Sequence, residues 1–207
     1  MIQMCGKNVL VFGGGRVAYR KCESILKCQG NVVVVSKDFV EGFYLLDKEY
    51  SHRVTLIEDE FKEFYLDNCH LVIAATNCKD TNQLIIEKCS KKNLLCNAVD
   101  HGEISDYIFP SVVRRGDLII SISTSGKSPS LSMKVKEEIE KVYTPDFEEY
   151  VALLGVIREK ILSQDKSDED KKKILNGLVN KSMEELCLMN NEQLTIDNEN
   201  LKAKSSK

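Results

Sequence analysis

Residues 13–18 read Gly-Gly-Gly-Arg-Val-Ala, a G-x-G-x-x-A that follows the apolar run 8–12 without a gap and opens a stretch of helical spacing. Glycine lets a chain turn tightly and lets a pyrophosphate approach the backbone. Ala18 permits close helix–strand packing, and a helix N-terminus offers unpaired N–H groups to phosphate. Gly13, Gly14, Gly15, Arg16 and Val17 are therefore candidate contacts of a nicotinamide dinucleotide. A carboxylate about 20 residues further on, at the end of the next strand, would hold a ribose 2′-hydroxyl. Here the chain offers Ser36-Lys37-Asp38, in which Lys37 could equally meet the 2′-phosphate of NADP, while Asp38 near the ribose is the ground for expecting a preference for NAD. Thr76 and Asn77, followed by Asp80 and Asn82, bring polar groups to a third strand end, with helix capping by Asp80 as the rival reading. Asp100 and His101 close another apolar run. A carboxylate there can take a proton or touch a metal, or serve only as a turn residue. Residues 123–128, Ser-Thr-Ser-Gly-Lys-Ser, suit anion binding through backbone amides and Lys127, with Arg114 and Arg115 nearby, or else a capped helix entry. The spacing is not that of a Walker loop.

These groups need elements to hold them. The runs 8–12, 32–35, 54–57, 71–75 and 94–99 are short and nearly continuously apolar, as strands covered on both faces are. Between them, 16–29 and 80–92 carry apolar stripes, Val17, Ala18, Cys22, Ile25 and Leu26 in the first and Leu84, Ile85 and Cys89 in the second. Alternating strands and helices predict an α/β fold, a Rossmann-like parallel sheet. After Asp100 the pattern changes: 108–114 and 118–123 predict a hairpin turning at Gly116, followed by helices over 130–142, 146–162 and 167–188. The expected organisation is a dinucleotide-binding domain over 1–107, a small α+β dimerisation and substrate-cleft segment over 108–144, a helical C-terminal region over 145–189, and a disordered tail over 190–207. The hairpin and its apolar helices predict a homodimer.

Composition narrows the function. With 29 Lys and Arg against 32 Asp and Glu, the net charge of −3 argues against a nucleic-acid surface. No apolar run reaches the roughly 18 residues a membrane span requires, and the N-terminus lacks a signal-peptide core, so a cytoplasmic protein is expected. The eight cysteines, without any C-x-x-C, read as buried free thiols, and no metal-ligand set is evident.

Taken in order, four blocks resemble the precorrin-2 dehydrogenase/sirohydrochlorin ferrochelatase family. They are residues 11–21, Val-Phe-Gly-Gly-Gly-Arg-Val-Ala-Tyr-Arg-Lys; Ala74-Ala75-Thr76-Asn77 with Asn82; Cys96-Asn97-Ala98-Val99-Asp100; and Ile108-Phe109-Pro110-Ser111 running on to residues 122–129. Together they cover about residues 6–162. The resemblance implies a homodimer in which NAD takes hydride from precorrin-2, giving sirohydrochlorin on the way to siroheme or cobalamin. It also implies that Asp100 is needed for the chemistry, and that the middle segment exchanges between subunits to form the dimer and part of the tetrapyrrole cleft. Dinucleotide contacts would fall on Gly13 to Val17, on Lys37 and Asp38, and near Thr76 and Asn77. Insertion of ferrous iron or cobalt is left open. Two departures stand out: the chain lacks much of the family's short N-terminal lead, and Ser125 stands where a second glycine is common.

Precorrin-2 carries eight carboxylate arms, so its oxidation calls for a hydride acceptor, a base and a cationic cleft. Asp100 is the candidate base, and Arg20, Lys21, Arg114, Arg115 and Lys127 are the cations available. Ser123, Thr124, Ser125, Gly126, Lys127, Ser128 and Arg114 are the candidate substrate contacts. Two competing classes are a non-catalytic NAD(H)-binding sensor, which has no use for Asp100, and a helical assembly module that binds no cofactor.

Overall fold

Neighbouring residues of the first strand, β1 (Asn8–Phe12), are buried in opposite directions. Val9 and Val11 enter one core, Leu10 and Phe12 another. A strand covered on both faces needs an apolar residue at every such position, which is why the run is continuous rather than alternating. The computed structural model describes residues 2–99 and 105–191. Four further strands, β2 (Asn31–Ser36), β3 (Val54–Glu58), β4 (Leu71–Ala74) and β5 (Leu95–Ala98), join β1 in a parallel sheet of order β3-β2-β1-β4-β5. Helices α1 (Arg16–Lys27) and α2 (Gly42–Glu49) cover one face through Ala18, Cys22, Ile25, Leu26, Phe43 and Leu46. Helix α3 (Lys79–Lys91) and a 3-10 helix (Glu63–Asn68) cover the other through Ile85, Cys89 and Leu66. The expected parallel α/β sheet is thus present.

Helices α1 and α3 stop in the same way. Gln29 and Asn93 take left-handed φ values of 61° and 55°, and the next amides, of Gly30 and Leu94, donate back to the carbonyls of Ile25 (3.1 Å) and Cys89 (3.0 Å). Each is a Schellman stop that turns the chain directly into the following strand. Three expectations need correction here. Helix α2 was not anticipated, because only Phe43 and Leu46 of its eight residues are buried. On α3 the buried stripe is Asn82, Ile85 and Cys89, while Leu84 points outward. All eight cysteines are free, but only Cys22, Cys89 and Cys96 are buried.

The chain divides into two compact units, Met1–Phe109 and Pro110–Lys207. The second begins with an antiparallel hairpin, β6 (Ser111–Arg115) and β7 (Leu118–Ile122), turning through Gly116 at φ 56°. The strand expected from residue 108 starts only at Ser111, after Pro110, which has no amide to give to a ladder. Helices α4 (Pro129–Val142), α5 (Phe147–Leu162) and α6 (Asp168–Leu178) follow, then α7 over 183–191. The single helix expected over 167–188 is therefore two. Ser182 and Glu185 form a reciprocal capping box, amide to carboxylate at 2.8 Å and amide to hydroxyl at 3.3 Å, which starts a new helix. The Tyr150 hydroxyl spans the break, 3.1 to 3.5 Å from the carbonyls of Leu178, Val179 and Lys181. Ile157, Ile161, Leu178 and Leu186 form this unit's core. In the hairpin only Val113 is buried, and in α4 only Ser132. Of the tail expected over 190–207, residues 190 and 191 finish α7 and 192–207 lie outside the described residues. Among the described residues no helix is long and apolar enough to cross a membrane.

Candidate functional site

Strands β1 and β4 are neighbours whose following helices pass to opposite faces, which makes the carboxyl ends of this pair the sheet's switch point and opens a crevice there. The three glycines after β1 meet three different demands. Gly13 has φ 116°, and a Cβ on it would lie 2.2 Å from the Ala75 carbonyl oxygen. A Cβ on Gly14 would lie 1.9 Å from the Asp38 carbonyl oxygen. Around Gly15 a Cβ would meet nothing within 4 Å. Gly13 and Gly14 let segments of the protein close on one another, whereas Gly15 keeps space clear at the mouth of α1. Gly15 is the N-cap of α1 without a side-chain cap, and the first internal bond runs from the Tyr19 amide to the Gly15 carbonyl, 3.0 Å. The amides of Arg16, Val17 and Ala18 thus have no acceptor within the helix, which is the donor set an anion takes up. Open space beside such donors suits a dinucleotide pyrophosphate.

A cavity of about 760 Å³ lies over this crevice, within the size range of small-molecule sites. Gly13, Gly14, Gly15, Lys37, Asp38, Thr76 and Asn77 all line it. Arg16 and Val17 are exposed in the first turn of α1 and are not part of its wall. The Thr76 turn is fixed by Asn82, which is fully buried. Its Oδ1 accepts from the Thr76 amide (3.1 Å) and hydroxyl (2.7 Å), and its Nδ2 donates to the Thr76 carbonyl at 3.0 Å. Asp80 is in the first turn of α3 rather than at its N-cap, which is Cys78.

Two acids at the cavity rim escaped the sequence reading. Because Ser36 pairs with Glu58, the chain leaves β2 and β3 side by side, and Asp59 and Glu60 come beside Lys37 and Asp38. The Asp59 carboxylate accepts from Lys62 Nζ (2.7 Å), the Tyr65 hydroxyl (2.7 Å) and the Glu60 amide (2.8 Å). Lys62 and then Tyr65 hold its pKa down at about 2. Lys37 Nζ lies 2.5 Å from Glu60 Oε1. The available signal was the acid pair ending the third apolar run, joined to Lys37 only by strand order.

Asp100 and His101 lie outside the described residues, which resume at Ser105. The Val99 amide donates to the Ala74 carbonyl at 3.0 Å, and Ser105 Oγ accepts from the Ala98 amide at 2.9 Å. Within the described residues Lys21 Nζ donates to Asn97 Oδ1 at 2.7 Å and sits 4.1 Å from the Phe109 ring centre, while Asn97 Nδ2 donates to the Tyr107 carbonyl at 2.6 Å. Burial lowers the Lys21 pKa to about 8. Lys21 is thereby engaged inside the first unit, whereas Arg20 is exposed.

In the second unit the 123–128 loop uses most of its hydroxyls on itself. Ser123 Oγ accepts from the Ser125 amide (3.0 Å), Thr124 Oγ1 from the Ser128 amide (3.0 Å), and Ser128 Oγ caps α4 at the Leu131 amide (3.3 Å). Ser125 and Gly126 have φ values of 53° and 81°. Lys127 and the Ser125 side chain remain exposed. Arg115 Nε donates to the Tyr143 carbonyl at 2.7 Å, tying the hairpin to the end of α4, and Arg114 is exposed.

Residues 1–111 match the family described as "Putative NAD(P)-binding", and residues 115–141 the one described as "Sirohaem biosynthesis protein central". Siroheme synthase of Pseudoalteromonas translucida is 34% identical over 177 residues, covering 86% of this chain and 37% of that enzyme. Siroheme synthase 2 of Klebsiella pneumoniae is 32% identical over 162 residues, covering 78% and 35%. The chain thus spans little more than a third of the length of these relatives. The solved structure of SirC, a precorrin-2 dehydrogenase, superposes with a TM-score of 0.77 at 23% identity over 96% of this chain and 98% of that one, and so has the same fold.

Proposed function

From the premise that this chain belongs to the NAD(P)-binding family matched by residues 1–111, we propose that it is an NAD-dependent precorrin-2 dehydrogenase producing sirohydrochlorin. The observation that carries this reading is the cavity at the switch point, where Gly15 leaves room beside the unpaired amides of α1. The names of the siroheme synthases and of SirC support precorrin-2 as the substrate. In this reading Gly13, Gly14, Gly15, Arg16 and Val17 present the backbone that holds the pyrophosphate. Lys37 and Asp38 meet the ribose, and Thr76 and Asn77 form the wall that Asn82 keeps in place. Loss of two hydrogens from the macrocycle is one hydride, for which NAD would supply the acceptor when bound, and one proton, for which Asp100 is the acceptor. Arg114 and residues 123–128 are assigned to the substrate's carboxylate arms, with Lys127 as the exposed cation.

The surface of the second unit supports a homodimer. Leu131, Met133 and Val142 of α4 are 50%, 60% and 66% exposed beside a hairpin with one buried residue, and a second copy would cover such apolar side chains. Segment 108–144 is assigned to dimerisation and 145–189 to a helical region. Eight free thiols suit the reducing cytoplasm.

Anaerobic incubation with NAD and precorrin-2, followed by absorbance of sirohydrochlorin and NADH, tests the assignment. Asp100→Asn is expected to slow dehydrogenation by at least about 100-fold while NADH still binds. Wild-type turnover would remove Asp100 from the chemistry, and NADH binding without turnover in the wild type would favour the sensor. Supplying sirohydrochlorin with ferrous iron or cobalt in the same assay tests metal insertion.

A further inference from the structure

The rim where β2 and β3 leave the sheet brings four charged side chains to the cavity, Lys37, Asp38, Asp59 and Glu60. We infer that Glu60 determines the choice between the two nicotinamide dinucleotides. It occupies Lys37, the one cation among the described residues lining the cavity, so that a ribose with a free 2′-hydroxyl is accepted and one with a 2′-phosphate is turned away. This deepens, and rests on, the reading of the cavity as a dinucleotide site.

Strand register brings the charges together. Ser36 pairs with Glu58, and the Asp59 amide donates to the Ser36 carbonyl at 3.2 Å, so the residues after each strand emerge next to one another. Lys37 Nζ and Glu60 Oε1 are 2.5 Å apart, with side chains 69% and 66% exposed. So exposed a pair does little for the stability of the fold, and its consequence is for a ligand that arrives. A phosphate monoester carries nearly two negative charges at neutral pH. It can use Lys37 only by taking it from Glu60, which leaves that carboxylate unpaired beside the phosphate, with Asp38 and Asp59 close by. Asp59 cannot relieve the repulsion, because its own carboxylate is engaged by Lys62, Tyr65 and the Glu60 amide and stays ionised. A 2′-hydroxyl meets the reverse situation, since it is a hydrogen-bond donor and acceptors are what this rim holds in excess. Lys37 alone reads as a phosphate ligand. Paired with Glu60, it does not.

Titrations of the full chain with NADH and NADPH, read by the fluorescence of the bound nicotinamide, test the inference without turnover. The wild type is expected to favour NADH. Glu60→Gln, which keeps the shape and removes the charge, is expected to shift the ratio of the two dissociation constants towards NADPH by about tenfold. Adding Lys37→Ala to that variant is expected to abolish the shift. An unchanged ratio in Glu60→Gln, or a shift that survives Lys37→Ala, overturns the role of Glu60 while leaving the dinucleotide site standing. A wild type that binds neither nucleotide overturns the site and this inference with it.

Discussion

The sheet of the first unit and the hairpin of the second are covered very differently. Every residue of β1 after Asn8 is buried, and both faces of the sheet have their own helices. The β6–β7 hairpin buries only Val113, and α4 leaves Leu131, Met133 and Val142 largely exposed. An isolated two-stranded sheet is marginal in water. The first unit completes its own core and can shape a small-molecule cavity unaided, whereas the hairpin region leaves apolar side chains in solvent, which the proposed second copy would cover. Stability should therefore be independent of protein concentration in one region and dependent on it in the other.

The largest effect that would test this contrast is in the first unit. Gly13→Val sets a β-branched residue at φ 116° with its Cβ inside van der Waals reach of Ala75. The expected loss exceeds about 3 kcal/mol in urea unfolding. Gly15→Val, at φ −83° and with open space around it, should keep its midpoint and lose NADH binding. Equal midpoints for Gly13→Val and wild type would mean the glycine turn is not the tight element described. In the second unit, Leu131→Lys combined with Met133→Glu should weaken self-association by about 100-fold or more in sedimentation, with the NADH titration still saturating. Self-association equal to that of the wild type would place the proposed interface elsewhere, and a wild type that stays monomeric would remove it.

The smallest effect concerns Lys21, a half-buried cation of the sheet unit. Its folded pKa, about 8, is below its unfolded value, so the folded state holds the proton less well. The resulting penalty is complete below pH 8 and is relieved as pH rises from about 8 towards 10.5. Relative to Lys21→Met, the wild-type melting temperature should rise by about 2 °C over that window, after allowing for the partial exposure of the side chain. Parallel curves would show that Lys21 is better solvated than its contacts with Asn97 and Phe109 imply.

The elements that could be read in the sequence were those whose burial is written as an unbroken pattern. All five sheet strands are legible near their observed ends because each is written as a nearly continuous apolar run. Helix α2 was hidden because Tyr44 and Leu45 face outward and only Phe43 and Leu46 mark the core. The break between α6 and α7 is written in Ser182 and Glu185, a capping pair that the single helix expected over 167–188 runs across. In the site, the glycine turn was legible because its contacts are local. Asp59 and Glu60 were not, since nothing near them in the chain links them to Lys37, and only the register of β2 with β3 does so.

The close fit of Gly14 against Asp38 has a kinetic consequence. The Val40 amide donates to the Gly14 carbonyl at 2.9 Å, and no side chain larger than hydrogen fits between Gly14 and Asp38, so the glycine turn and the segment carrying Lys37 and Asp38 are held as a single rigid wall. A ligand meeting a wall already in place does not wait for a loop to close, and encounter rates should be alike for related nucleotides. Discrimination between them then lies in residence time, the wrong nucleotide arriving as often as the right one and departing sooner.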